Sequence, residues 1–161
     1  MSVAFRREGD DEHKEPRFEL PIPPGPNWVT PRGLAVLAAK VVELEAAPRG
    51  VDTPAAPDPV ARQLRYWRTR LSSAQAAPAP LDGEIGIGVQ VTFTLGGKAR
   101  IMTIVGDDEA DPAAGLISFH APLSRALMSG AVGDLLDFGG KAAAIEVTGV
   151  ASYRSSPTTL D

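Results

Sequence analysis

Residues 30–71 carry two apolar stripes at helical spacing, each opening on a capping side chain followed directly by proline, and from residue 89 the spacing changes to alternation. The two periods belong to different elements, so the chain is read as helical first and sheet-forming second. Thr30 offers a hydroxyl acceptor at a helix N-cap, and Pro31 takes the first helical position, where no amide donor is needed. Leu34, Leu37, Val41 and Leu44 follow at spacings of 3, 4 and 3. Asp58 and Pro59 repeat the start signal, and Val60, Leu64, Trp67 and Leu71 follow at 4, 3 and 4. Between the stripes, "APRGVDTPAAPD" is too rich in proline and glycine to continue either helix. The pattern predicts an antiparallel helical hairpin over residues 28–77, a short coiled coil in which neither helix is stable alone.

Residues 78–83 read as a linker. Beyond it, "VQVTFTL" places Val89, Val91, Phe93 and Leu95 on one face, and Gly96-Gly97 turns the chain into "ARIMTIVG". "LISFHAP" reads as a third strand, "SRALMSG" as a short helix, and the chain closes with two strands around Gly139-Gly140. The expected fold class is therefore α+β: the hairpin, then a module over residues 84–154 with a small antiparallel sheet and one short helix. Residues 1–27 mix both charge signs and end in "PIPPGP", a composition that predicts a flexible arm. The proline run suits a stiff spacer or a docking motif for another protein. A disordered tail is expected over residues 155–161.

Charge and composition remove several function classes. The net charge of −4 is uneven: residues 27–77 are net +3 and residues 81–154 net −4, which suits two modules with different faces and not a coat for nucleic acid. There is no cysteine, so no disulfide, thiolate nucleophile or cysteine metal site, and two histidines are too few for a metal centre. No apolar run has the roughly 20 residues that span a bilayer, and the N-terminus lacks the apolar core of a secretory signal. A cytoplasmic protein without a membrane partner is expected.

Each candidate site has a structural reading beside it. "GDDEADPAAG" holds the densest acids, but counting from Asp107 puts Pro112 at the sixth and Ser118 at the twelfth position of a calcium loop, where glycine and glutamate are required. A solvated turn is expected there instead. Gly86-x-Gly88 lacks the third glycine of a dinucleotide fingerprint, since that position is Val91. No catalytic triad can be assembled, and no metal or cofactor is expected. Asp52 and Asp58 are the only carboxylates a hairpin tip could present. Arg62, Arg65 and Arg68, spaced 3 and 3, form a basic face that reads as a solvated flank, or as a contact for a partner protein or nucleic acid.

In this order the segments resemble the bacterial GreA/GreB transcription factors, over about residues 28–150. "NWVTPRGLAVLAAKVVELE" is similar to the family's opening helix, "VARQLRYWRTRLSSAQ" to its return helix in the GreB form, and "IVGDDEADPAAGLIS", "APLSRAL" and "VGD" to its C-terminal domain. The resemblance implies an FKBP-like C-terminal domain that grips the RNA polymerase β′ coiled coil at the secondary channel, with any contact to RNA or DNA indirect. It also implies a coiled coil whose acidic tip helps hold Mg²⁺ for cleavage of backtracked RNA. Carried onto this sequence, polymerase binding falls to His120, Pro122, Leu123 and Arg125, with His120 standing where the family has an aspartate. The tip lacks the family's acidic pair, and the hairpin is short by about a dozen residues per arm, on the order of 18 Å of reach. In that shortness it is also similar to Rnk. The expectation is a non-enzymatic regulator that occupies polymerase without stimulating cleavage. A cleavage factor using Asp52 and Asp58 is the first alternative, and an FKBP-like prolyl isomerase the second.

Overall fold

The computed structural model describes residues 19–153. The expected N-terminal arm up to residue 18 and the expected disordered tail over residues 155–161 lie outside the described residues. The chain opens with a short strand β1 (Asn27–Val29), then α1 (Pro31–Ala46) and α2 (Pro59–Ser73), and a second short strand β2 (Ala74–Ala76). Both helix starts form as their sequences dictate. The Thr30 side chain accepts from the Gly33 amide, the Asp58 side chain accepts from the Val60 amide, and proline follows each cap. Val41 and Leu44 of α1 are buried against Leu64 of α2, with Val60, Trp67 and Leu71 packed around them. The end of α2 returns beside the start of α1, where Asn27 Nδ2 donates to the Arg70 carbonyl at 2.8 Å.

Two details of the helical segment differ from expectation. Leu34, assigned to the inner stripe, is 45% exposed, because Leu37, Val41 and Leu44 set the inner face and leave Leu34 at its rim. Residues 27–29 and 74–76, where no strand was expected, pair as parallel strands, Asn27 opposite Ala74 and Val29 opposite Ala76. A residue before proline is driven away from the α region, which keeps Thr30 extended and lets the strand run up to the helix cap.

The second module is a five-stranded sheet in the order β5-β4-β3-β7-β6, formed by β3 (Val89–Leu95), β4 (Lys98–Val105), β5 (Leu116–Ser118), β6 (Leu135–Phe138) and β7 (Lys141–Ser152). The sheet is mixed, which corrects the antiparallel expectation: β5 pairs with β4 in parallel, Thr103 opposite Leu116 and Val105 opposite Ser118. The reason lies in residues 106–115, which carry the chain back along β4 through two single 3₁₀ turns, Asp107–Glu109 and Pro112–Ala114, where a hairpin turn would have reversed it. Alternation along β3 buries Val89, Val91 and Phe93 as expected. They join Ile104, Ile117, Ile145 and Val147 in a core capped by Leu127 of α3 (Pro122–Met128). Among the described residues no helix is long and apolar enough to cross a membrane.

Candidate functional site

The strongest concentration of polar chemistry lies where the helix pair meets the sheet, on the acidic turn after β4. The sequence suggested a solvated turn. The structure corrects this, because the turn is wedged against both helices. Arg70, near the end of α2, is 2% exposed. Its Nε donates to Asp108 Oδ2 at 2.6 Å, and its Nη2 donates to Asn27 Oδ1 at 2.7 Å and lies 3.5 Å from Asp107 Oδ2. The other oxygen of Asp108 accepts from the Tyr66 hydroxyl, one helical turn earlier on α2. Burial first, and then the Asp108 hydrogen bond and charge, push the Tyr66 phenol well above its ordinary value of 10.0.

Glu109 completes the wedge on the side of α1. It is buried, and its Oε1 accepts from the Thr30 hydroxyl, the same group that caps the helix. The first turn of α1 has no acidic residue of its own, so Glu109 places a carboxylate at the positive end of that helix from a different element. Two glycines make the close approach possible. A Cβ on Gly33 would sit 3.2 Å from Glu109 Oε1, and one on Gly106 would run into the Trp28 carbonyl oxygen.

From the same turn the network continues to α3. Asp107 Oδ1 accepts from Ser118 Oγ at 2.5 Å and lies 2.8 Å from His120 Nδ1. The buried Ser124 hydroxyl of α3 donates to the Ser118 carbonyl at 2.6 Å. His120 is therefore committed to Asp107 through one ring nitrogen. Pro122 starts α3, Leu123 packs partly against the core, and Arg125 is exposed on the following turn. The four residues assigned to docking thus sit together on one short segment, tied through Asp107 to the helix pair.

Other candidates are placed differently. Asp52 and Asp58 lie in the same loop but serve it. Asp58 is 7% exposed and accepts from the amides of Gly50 and Val60. Asp52 accepts from the Asp58 amide and pairs with Arg65 at 2.7 Å. The hydrogen bond from Arg65, then that from the Asp58 amide, hold the Asp52 carboxyl below its ordinary value. The basic face is likewise broken up: Arg65 bridges Glu19 and Asp52, Arg68 pairs with Glu45, and Arg62 Nε is buried without a hydrogen-bond partner among the described residues. No group of three or more acidic or histidine side chains among the described residues is arranged to hold a metal ion. What sequence reasoning missed is the role of Arg70 and of the two acids it faces, Asp107 and Asp108, and the placement of Glu109 on Thr30. Spacing on α2 sets Tyr66 and Arg70 one turn apart, but nothing in the sequence names their partner.

Residues 80–151 match the family model described as "Transcription elongation factor, GreA/GreB, C-term". Over 77 residues the chain is 35% identical to transcription elongation factor GreA of Thermomicrobium roseum, covering 46% of this chain and 49% of that protein. Over 80 residues it is 36% identical to transcription elongation factor GreB of Xanthomonas axonopodis pv. citri, covering 47% and 48%. The chain thus spans about half the length of the curated relatives it matches. A solved GreA/GreB elongation factor from Nitrosomonas europaea is 18% identical, covers 79% of this chain and 98% of its own, and superposes with a TM-score of 0.38.

Proposed function

We propose that this chain, which belongs through residues 80–151 to the GreA/GreB transcription elongation factors, binds RNA polymerase at the rim of the secondary channel and modulates elongation without stimulating transcript cleavage. In this reading the second module is the family's FKBP-like docking domain, and His120, Pro122, Leu123 and Arg125 form its contact with the polymerase β′ coiled coil. The helix pair is a truncated coiled coil at the channel mouth. The protein works in the cytoplasm as a binding factor, not as an enzyme.

The observation that carries the non-catalytic reading is the use of both loop carboxylates inside the loop. Metal-assisted cleavage needs two oxygens free to converge on an ion. Asp58 is instead spent capping α2, and Asp52 is spent on Arg65 and the Asp58 amide. Reach supports the same reading. At about 1.5 Å per residue, the 16 residues of α1 extend roughly 24 Å from the module they stand on.

Two measurements test the proposal. Capture of core polymerase by the full chain should fall at least tenfold on Arg125→Glu, which reverses an exposed charge without touching the core. Unchanged capture would remove α3 from the interface. On backtracked elongation complexes the wild-type chain should leave RNA length unchanged with Mg²⁺ present. Mg²⁺-dependent shortening lost in the Asp52→Asn, Asp58→Asn double variant would establish cleavage in its place.

A further inference from the structure

Ahead of β1, residues 19–26 run from the flank of α2 to the segment that starts α3, and four of the eight are proline. At the α2 end, Glu19 Oε1 accepts from Arg65 Nε at 2.9 Å and lies 2.8 Å from its Nη2, with the two side chains 48% and 42% exposed. At the other end Asn27 is buried and bonded to Arg70. Between these anchors none of residues 20–25 makes a backbone hydrogen bond among the described residues. The segment is therefore held at its ends, and the exposed ion pair is the weaker end. Its prolines keep it stiff, so it moves as a body about the buried end. Its course lies against His120. Gly25, at φ +83, bends the chain there, and a Cβ on it would sit 3.9 Å from His120 Nε2. The other ring nitrogen is held by Asp107, so this segment faces the nitrogen that Asp107 leaves open.

We propose that residues 19–26 form a strap that shields the docking segment in the free chain and swings out about Asn27 when polymerase binds, with Glu19 on Arg65 as its latch. The inference rests on the docking role given above to His120, Pro122, Leu123 and Arg125. Arg65 also holds Asp52 of the loop between α1 and α2 at 2.7 Å, so it stays in place when Glu19 leaves it. Opening thus costs one exposed ion pair and leaves the buried joint at Asn27 and Arg70 intact. A docking segment that is open in only a fraction of the molecules binds with an affinity reduced by that fraction. One exposed pair shifts the fraction modestly, so release of the strap raises affinity about threefold.

The sequence holds two histidines, His13 and His120, so His13→Gln leaves one imidazole for diethyl pyrocarbonate, which acylates an open ring nitrogen. In the full chain with that change, the rate of modification at His120 reads the strap without polymerase. Glu19→Ala and Glu19→Arg should each raise the rate about threefold. High salt should bring the chain that keeps Glu19 to the same rate and leave the two variants unchanged. Asp52→Asn, which breaks the other bond of Arg65, should not alter it. Capture of core polymerase should rise with the modification rate in both Glu19 variants. A modification rate indifferent to both Glu19 variants overturns the proposal. A faster rate with weaker capture also overturns it, because residues 19–26 would then belong to the interface. A faster rate with unchanged capture overturns the shielding of docking, and Arg125→Glu then tells whether the docking reading has failed as well, since that variant acts on capture and not on the strap.

Discussion

Arg70 Nε donates to Asp108 Oδ2 at 2.6 Å across the junction of the helix pair and the sheet, with the two side chains 2% and 7% exposed. Among the described contacts Arg70 is shared by Asp107 and Asp108 of the turn after β4, and Asn27 fixes it from behind. The junction is thereby a specified joint between the two modules. Its partners come from β1, α2 and the turn, so a change in the angle between the modules must break several charged hydrogen bonds together.

Arg70→Met should therefore do more than remove a contact. It keeps the aliphatic stem but leaves Asp107 and Asp108 facing each other near an apolar junction. Removing one partner of a buried ion pair costs about 3–5 kcal/mol, and urea unfolding of the full chain should show a loss of that order. Adding Asp108→Leu to Arg70→Met should recover part of it. A loss below about 1 kcal/mol would place Arg70 among ordinary surface pairs.

The shifted Tyr66 phenol gives a pH signature. Its folded pKa is raised above the unfolded value of 10.0, so the folded chain keeps a proton that the unfolded chain gives up. The contribution is complete below pH 10 and is lost as pH rises beyond it. The wild-type stability should accordingly fall more steeply above pH 10 than that of Tyr66→Phe. Parallel slopes in chemical denaturation at alkaline pH would contradict the Tyr66–Asp108 bond.

In the loop between α1 and α2 the two aspartates are expected to behave as structural groups. Asp58→Ala removes the cap of α2 and the acceptor for the Gly50 amide, a change worth about 1–2 kcal/mol. Asp52→Asn should be milder. The folded Asp52 pKa is depressed below 3.8, so its contribution is present above that value and fades as pH falls below it. The difference between wild type and Asp52→Asn should disappear in acid, as thermal unfolding at successive pH values will show.

The parts of this architecture that were legible beforehand are those fixed by neighbouring residues. Thr30-Pro31 and Asp58-Pro59 announce their helices because a cap and a fixed φ act within one turn, and Val89, Val91 and Phe93 declare a half-buried strand through simple alternation. Leu34 was misplaced because a stripe read at 3 and 4 spacing cannot say which edge of α1 the partner covers. The acidic turn was misread for a stronger reason. A carboxylate is solvated unless it has a partner, and the partner of Asp108 lies 38 residues away on a different element. β5 failed similarly: a parallel pairing of three residues carries no local mark.

His120 belongs to the segment proposed for docking, and its ring is held by Asp107. An acid in its place should disturb this segment. Asp107 already brings a carboxylate to within 2.8 Å of the His120 ring, and Ser118 donates to the same oxygen. In His120→Asp the two carboxylates would share a site only if one took up a proton or turned away, since like charges at that distance disfavour joint ionisation. At neutral pH the variant should therefore lose stability and loosen the start of α3, and polymerase capture should fall. His120→Asn, which can still donate to Asp107, should stay near wild type in both measurements. The second test adds Asp107→Asn to His120→Asp, which removes the repulsion, so the double variant should be more stable than His120→Asp alone. No recovery in the double variant, or tighter polymerase capture by His120→Asp, would mean that Asp107 does not govern this position.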